Sequence, residues 1–272
     1  MRDKFLVLDG HGLIYRAIFR PGPPLTAPNG EPTRGTYTFC ATLFALIESL
    51  QPTYLALADD APRKSTFRRR IWPQYKANRE RDAEGPPAEI VVQTARCKQI
   101  VKALGIPVIG APTFEADDII ASLVEVCASD EVEVVIGSRD KDLHQLVGDA
   151  CRLYDPADRE WWDVERVEAK WGVRVDQIAE MQALMGDPTD NVPGIKGVGE
   201  KRARDAIIQH GTAAAFAEQA GHDLDHVALM RELVTLRRDV PLRVSASALE
   251  FDGFDMAAAR PLFQSLGFTT FV

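Results

Sequence analysis

The sequence predicts an α/β core with a mainly parallel central sheet flanked by helices, followed by a smaller helical domain. Three observations predict it. Over the first two-thirds of the chain, short apolar runs that end in carboxylates alternate with longer stretches of helical spacing, which implies right-handed βαβ crossovers. From about residue 175 the strand signals vanish, and helical patterning continues to about Arg238. At 272 residues the chain amounts to about two units of ordinary domain size, enough to bury a core without disulfide or metal staples.

Phe5-Leu6-Val7-Leu8 runs into Asp9-Gly10, Tyr54-Leu55-Ala56-Leu57-Ala58 into Asp59-Asp60, and Val132 to Gly137 into Ser138-Arg139-Asp140. Each is a candidate strand with an acid at its carboxyl end, the edge where such sheets bind ligands. Residues 35–50, 88–104 and 115–128 space their apolar side chains as helices do. A proline- and glycine-rich loop at 20–33 and a long insertion at 61–87 interrupt the pattern; insertions of that length are usually functional. These signals place an α/β core at 1–174 and a helical domain at 175–272. Four dispersed cysteines without a CxxC pair read as reduced thiols, and no early apolar run approaches a signal or membrane segment. A cytoplasmic protein without a membrane partner is expected.

The net charge of −8 argues against a polyanionic partner until its distribution is read. Between Arg63 and Arg81 stand eight basic residues and one acid, interleaved with Phe67, Trp72 and Tyr75. A solvated charged helix would account for a mixed-sign run; so concentrated an excess of one sign points to binding a polyanion.

Acids gather elsewhere. Glu115-Ala116-Asp117-Asp118 opens a helix, where one or two acids would only complement the dipole, but three in four residues repel one another. Asp140-Lys141-Asp142 follows a strand, and alternate side chains there can point the same way. Asp187 and Asp190 are spaced to share one side of a helical turn, or to serve as a helix end and a cap. Together with Asp9 and Asp60 they make nine carboxylates that a doubly wound sheet can bring to one rim. All-oxygen ligation without a His or Cys cluster selects Mg²⁺ or Mn²⁺ over zinc, and two such ions can hydrolyse a phosphodiester. Just beyond, Gly194-Ile195-Lys196-Gly197-Val198-Gly199 precedes a helix carrying Lys201, Arg202 and Arg204. Glycines there admit a phosphate to the backbone and to the helix N-terminus, which suits a duplex clamp that reads no bases.

These segments, in this order, resemble the bacterial 5′-nucleases: the 5′→3′ exonuclease domain of DNA polymerase I and its stand-alone and phage relatives in the flap-endonuclease superfamily. The residues that carry the resemblance are Asp9-Gly10; Thr66-Phe67-Arg68 through Tyr75-Lys76-Ala77-Asn78-Arg79; Glu115-Ala116-Asp117-Asp118; Asp140-Lys141-Asp142; Gly186-Asp187-Pro188-Thr189-Asp190-Asn191; and Gly197-Val198-Gly199-Glu200-Lys201. The resemblance implies a PIN-like or resolvase-like nuclease core. It also implies a basic helical arch at about 61–87 and a helix–three-turn–helix at about 184–210. By the same likeness, Asp9, Asp60, Glu115, Asp117 and Asp118 serve a first metal ion, and Asp140, Asp142, Asp187 and Asp190 a second. Lys76 and Arg79 approach the scissile phosphate, Arg68 is another arch cation on DNA, and Lys196, Gly197, Gly199, Lys201 and Arg202 hold duplex, with K⁺ at the turn.

Asp59 competes with Asp60 as ligand; Asp60 is preferred because Ala61 then matches the family's Asp-Ala step. The implied substrate is DNA with 5′ flaps, nicks or single-strand/duplex junctions, cut by a monomer in replication or repair. A non-catalytic module for branched DNA, or an RNA-directed PIN-type nuclease, are the competing readings. The end of the chain resembles the stretch that closes this domain before polymerase domains, so both a stand-alone enzyme and a trimmed domain fit.

Overall fold

Strict alternation along β1 (Asp3–Asp9) sets the layering seen in the computed structural model, which describes residues 2–80 and 87–272. Phe5 and Val7 face one side of the sheet and Leu6 and Leu8 the other, so each side is apolar and must be covered. β1 pairs in parallel with β2 (Tyr54–Ala58) on one flank and with β4 (Val132–Gly137) on the other. The six-stranded order is β3-β2-β1-β4-β5-β6, with β3 (Val108–Ile109) and β5 (Cys151–Asp155) also parallel to their neighbours. Only β6 (Glu160–Trp162) runs antiparallel. Because the chain turns left from β1 to β2 and right to β4, the carboxyl end of β1 is a topological switch point, and Asp9 stands on it.

On one face lie α1 (Gly10–Phe19), α2 (Arg34–Leu50) and α4 (Ala88–Ala103), around Leu6, Leu8, Leu55 and Leu57. α1 was not legible in the sequence, since Gly10-His11-Gly12 is a poor helix start. It forms because Asp9 caps the Gly12 amide, and because a Cβ on Gly10 would lie 2.6 Å from the Ala58 carbonyl oxygen. Between β2 and α4 comes the short α3 (Phe67–Ile71). The other face is covered by α5 (Ala116–Cys127), then by α6 (Val164–Trp171), α7 (Ile178–Met185), α8 (Glu200–His210), α9 (Ala213–Ala220) and α10 (Leu224–Val234), which share a continuous core with Phe5, Val7 and Ile136.

The helical domain expected over 175–272 ends before the tail. The Leu55 amide donates to Leu249 and the Phe251 amide to Thr53, which returns the chain to the sheet edge. α11 (Met256–Ser265) then buries Phe263 in the α2–α4 layer, beside the Phe44–Phe254 and Tyr37–Phe268 ring pairs. Five phenylalanines in the last 22 residues are what bind this segment to the core. Cys40, Cys97 and Cys151 are buried free thiols and Cys127 is a half-buried one. Among the described residues no helix is long and apolar enough to cross a membrane.

Candidate active site

The carboxyl ends of β1, β2 and β4 open into a cavity of about 390 Å³ lined by Asp9, Asp60, Glu115, Asp117, Asp140, Asp142, Asp187 and Asp190. Each is held by local structure. Asp9 caps α1 and also accepts from Ser138 Oγ (2.8 Å). Asp60 accepts from the Ala116 amide (2.8 Å), whereas Asp59 turns away to Lys98 (2.6 Å), so Asp60 is the one in the cavity. Asp140 accepts from the Asp142 amide in a tight turn, not on a continued strand as the alternation suggested, and Asp142 accepts from Gln182. Asp187 and Asp190 likewise do not share a helical turn. They sit in a short loop closed by paired backbone bonds between Asp187 and Val192 (2.9 Å each).

Burial and crowding leave several of these acids short of compensation. Asp117 is pushed well above the usual carboxylate range by burial and by the charges of Asp140, Asp9 and Asp60. Burial chiefly raises Asp9 to about 6, and burial with Asp140 raises Asp142 to about 7. Glu115 and Asp187 go the other way, held below the usual range by Lys76 and Arg68 and by Lys141 respectively, against the opposing effect of burial. Among the described residues no three acids or histidines are placed closely enough to grip an ion as they stand. The donor set, all oxygen and mutually repelling, nonetheless fits a hard divalent cation, which would relieve that repulsion.

Two expected site residues belong elsewhere. Asp118 is fully buried and outside the cavity. Its oxygens accept two bonds from Arg68 (2.6 and 2.7 Å), one from the Glu115 amide and one from the Arg237 amide. That leaves it no free lone pair for a metal. Arg68, expected on DNA, is only 2% exposed and spends its guanidinium on Asp118, Glu115 and the carbonyls of Leu233 and Thr235. Sequence shows its charge but not its burial; the two residues form an internal ion pair that ties α3 to α5 and to the end of α10.

The described part of the basic insertion, 61–80, folds over the cavity; residues 81–86, including Arg81, lie outside the described residues. Lys76, held at φ 53° by a bond from its amide to the Asp190 carbonyl, reaches Glu115 (2.5 Å) and Asp190 (3.5 Å). Arg79 pairs with Asp190 (2.5 Å), and the Tyr75 hydroxyl, with one proton to donate, lies within hydrogen-bond distance of both Glu115 (2.9 Å) and Asp190 (3.0 Å). Three of the insertion's cations, Arg68, Lys76 and Arg79, are therefore turned inward, onto the acids.

Lys196, Gly197, Gly199, Lys201 and Arg202 are all exposed and outside the cavity. A Cβ on Gly197 or Gly199 would meet nothing within 4 Å, which leaves the backbone open to an outside partner; Gly197 also needs its φ of +81°. Sequence reasoning missed the pair that builds the turn. Gly186 and Gly194 pack back to back, and a Cβ on Gly194 would lie 2.4 Å from the Gly186 nitrogen. Their signal was the spacing of glycines on both sides of the Asp187–Val192 loop.

An acid rim at a sheet switch point, covered by cations and followed by an open glycine turn, is the architecture of metal-dependent nucleases. Within that class the chain belongs to the 5′-3′ exonuclease family. Residues 4–172 match the 5′-3′ exonuclease N-terminal resolvase-like domain, and residues 173–257 the 5′-3′ exonuclease C-terminal SAM fold. It is 36% identical to the 5′-3′ exonuclease of Aquifex aeolicus, over 96% of this chain and 91% of that protein. It is 34% identical to DNA polymerase I of Bacillus subtilis over 99% of this chain, and spans only 32% of that polymerase's length. In fold it is similar to the bacteriophage T5 flap endonuclease solved with DNA and metal ions (TM-score 0.67, 22% identity, covering 85% of this chain and 86% of that one).

Proposed function

We propose that the chain hydrolyses DNA phosphodiesters as a structure-selective 5′-nuclease, acting as a monomer on 5′ flaps, nicks and single-strand/duplex junctions in replication or repair. The observation that carries this reading is the convergence of eight carboxylates with Lys76 and Arg79 in one cavity. Asp9, Asp60 and Asp117 would hold one Mg²⁺ or Mn²⁺, and Asp142, Asp187 and Asp190 another, with Asp140 between them; K⁺ would sit at the glycine turn. Ions held there supply an activated water and neutralise charge on the phosphate.

The remaining work falls to the protein. Lys76 and Arg79 have acids as resting partners and can pass to an incoming phosphate, which releases Glu115 and Asp190 to face the ion site. The exposed turn at 196–202 holds duplex through backbone amides and Lys201 and Arg202, away from the chemistry. The test is cleavage of a labelled 5′-flap substrate with Mg²⁺ and with excess chelator. Cutting only with Mg²⁺ supports the reading; full activity in chelator removes the metal-dependent mechanism. Tight binding without cutting in any divalent ion leaves only the non-catalytic module.

A further inference from the structure

α7 buries Ile178, Met181, Ala183 and Leu184, and in their midst a carboxamide, Gln182, only 1% exposed. An apolar side chain would cost less there, because an amide taken out of water must find partners for both of its ends. Gln182 finds them. Its Oε1 accepts from Gln145 Nε2 (2.9 Å), and its Nε2 donates to Asp142 Oδ1 (2.5 Å).

Backbone groups set the direction of this chain of bonds. Gln145, in the 3₁₀ turn Asp142–Leu146, donates from Nε2 to the Val234 carbonyl (2.9 Å) and accepts at Oε1 from the Leu236 amide (3.4 Å). A carbonyl can only accept and a backbone amide only donate, so the Gln145 carboxamide cannot be turned over. Gln182 must then present its NH₂ group to Asp142. The segment that dictates this is itself fixed. Arg68, paired with Asp118, donates to the carbonyls of Leu233 and Thr235 on either side of Val234, and Asp118 accepts from the Arg237 amide.

Asp9 and Asp187 take hydrogen bonds from amides three and two residues further on, whereas Asp142 takes its own from a side chain 40 residues away in the helical domain. With Oδ1 engaged by Gln182, Oδ2 is the oxygen left to face the cavity that Asp142 lines. We propose that Gln182 is a positioning residue for the second metal site: it holds Asp142 by Oδ1 so that Oδ2 meets the ion, and Gln145 ties Gln182 to the end of α10. The inference rests on the reading in which Asp142 carries that ion. A carboxamide suits the task, because it orients the carboxylate without a charge that would repel the cation.

The test is Mn²⁺ binding to the DNA-free protein, followed by the electron paramagnetic resonance of free Mn²⁺. Wild type should bind two ions. Gln182→Met, which nearly keeps the volume and removes both bonds, should weaken the second ion by about 10- to 100-fold and leave the first unchanged. Asp142→Asn should weaken the same ion, and adding Gln182→Met to it should change nothing more, since Gln182 acts only through Asp142. If the methionine variant does not fold, Gln182→Leu takes its place. A second ion held as tightly by the Gln182 variant as by wild type overturns the positioning role and leaves the metal reading standing. An equal weakening of both ions, or a further loss in the double variant, also overturns it, because either marks a general loosening of the fold. A wild type that binds fewer than two ions, or an Asp142→Asn that binds both as wild type does, overturns the placement of the ion itself.

Discussion

Asp117 and Asp118 are consecutive in the sequence and opposite in role. Asp117 faces the cavity with Asp9, Asp60 and Asp140 for neighbours; Asp118 faces inward onto Arg68. Loss of a partner that merely orients a ligand typically costs about 10–100-fold, so Asp117→Asn should lower single-turnover cleavage by at least about 100-fold. DNA affinity should hold or tighten, because a negative charge has gone. Asp118→Asn should show itself in folding instead. It strands a buried guanidinium, and breaking a buried pair costs about 3–5 kcal/mol, read as a lower urea midpoint. If Asp118→Asn folds as well as wild type yet cannot cut, the internal-pair assignment is wrong and Asp118 returns to the metal site. The two aspartates were indistinguishable in the sequence because both occupy the first turn of a helix, where either fits the dipole. Only the side facing Arg68 separates them.

At the scale of elements, the insertion and the glycine turn divide the work between chemistry and grip. Lys76 is locked at the cavity by its backbone bond to Asp190, so Lys76→Ala should lower the single-turnover rate more than affinity, as expected for a cation acting on charge that grows in the transition state. Lys201→Ala on α8 should raise the dissociation constant and spare the rate at saturating enzyme. Equal small losses of affinity in both, with no loss of rate, would show that they are interchangeable surface charges. The glycines split in the same way. Gly199→Ala meets open space at φ −87° and should fold normally while weakening DNA binding; Gly194→Ala, at φ +61° and against the Gly186 backbone, should lower the melting temperature first. Much of this was legible in the sequence, because acids at strand ends and glycines before a basic helix are local signals. β5, β6 and the returning tail were not. β5 and β6 pair with near neighbours, β4 and β5, but are only five and three residues long, and the tail's place depends on a distant partner, Thr53 for Phe251, which no local pattern reveals.

Over the whole molecule, the chain concentrates unlike charges side by side, and the balance between them should depend on pH and on metal. Asp9, raised to about 6, and Asp142, raised to about 7, keep their protons in the folded state after the unfolded chain has lost its own near 3.8. The folded state thus binds more protons between about pH 4 and 7, and stability from these groups falls as pH rises through that window. His144 works against them. Burial holds it at about 4, so the folded state binds fewer protons than the unfolded one between pH 4 and 6.5, and its contribution rises with pH. Glu115 and Asp187, lowered by their cations, act only below the ordinary carboxylate range. A pH profile of stability alone therefore mixes opposing signs. The difference between Mg²⁺-loaded and chelated protein isolates the cavity, because an ion there favours the charged carboxylates and leaves His144 unchanged. The rise in melting temperature on adding Mg²⁺ should be small at pH 5 and grow steadily to pH 8, as protons leave Asp9 and Asp142. Asp117→Asn, which removes a carboxylate from the cavity, should cut that rise at pH 8. A Mg²⁺-dependent rise that is equal at pH 5 and pH 8 would mean that the ion binds away from these buried acids.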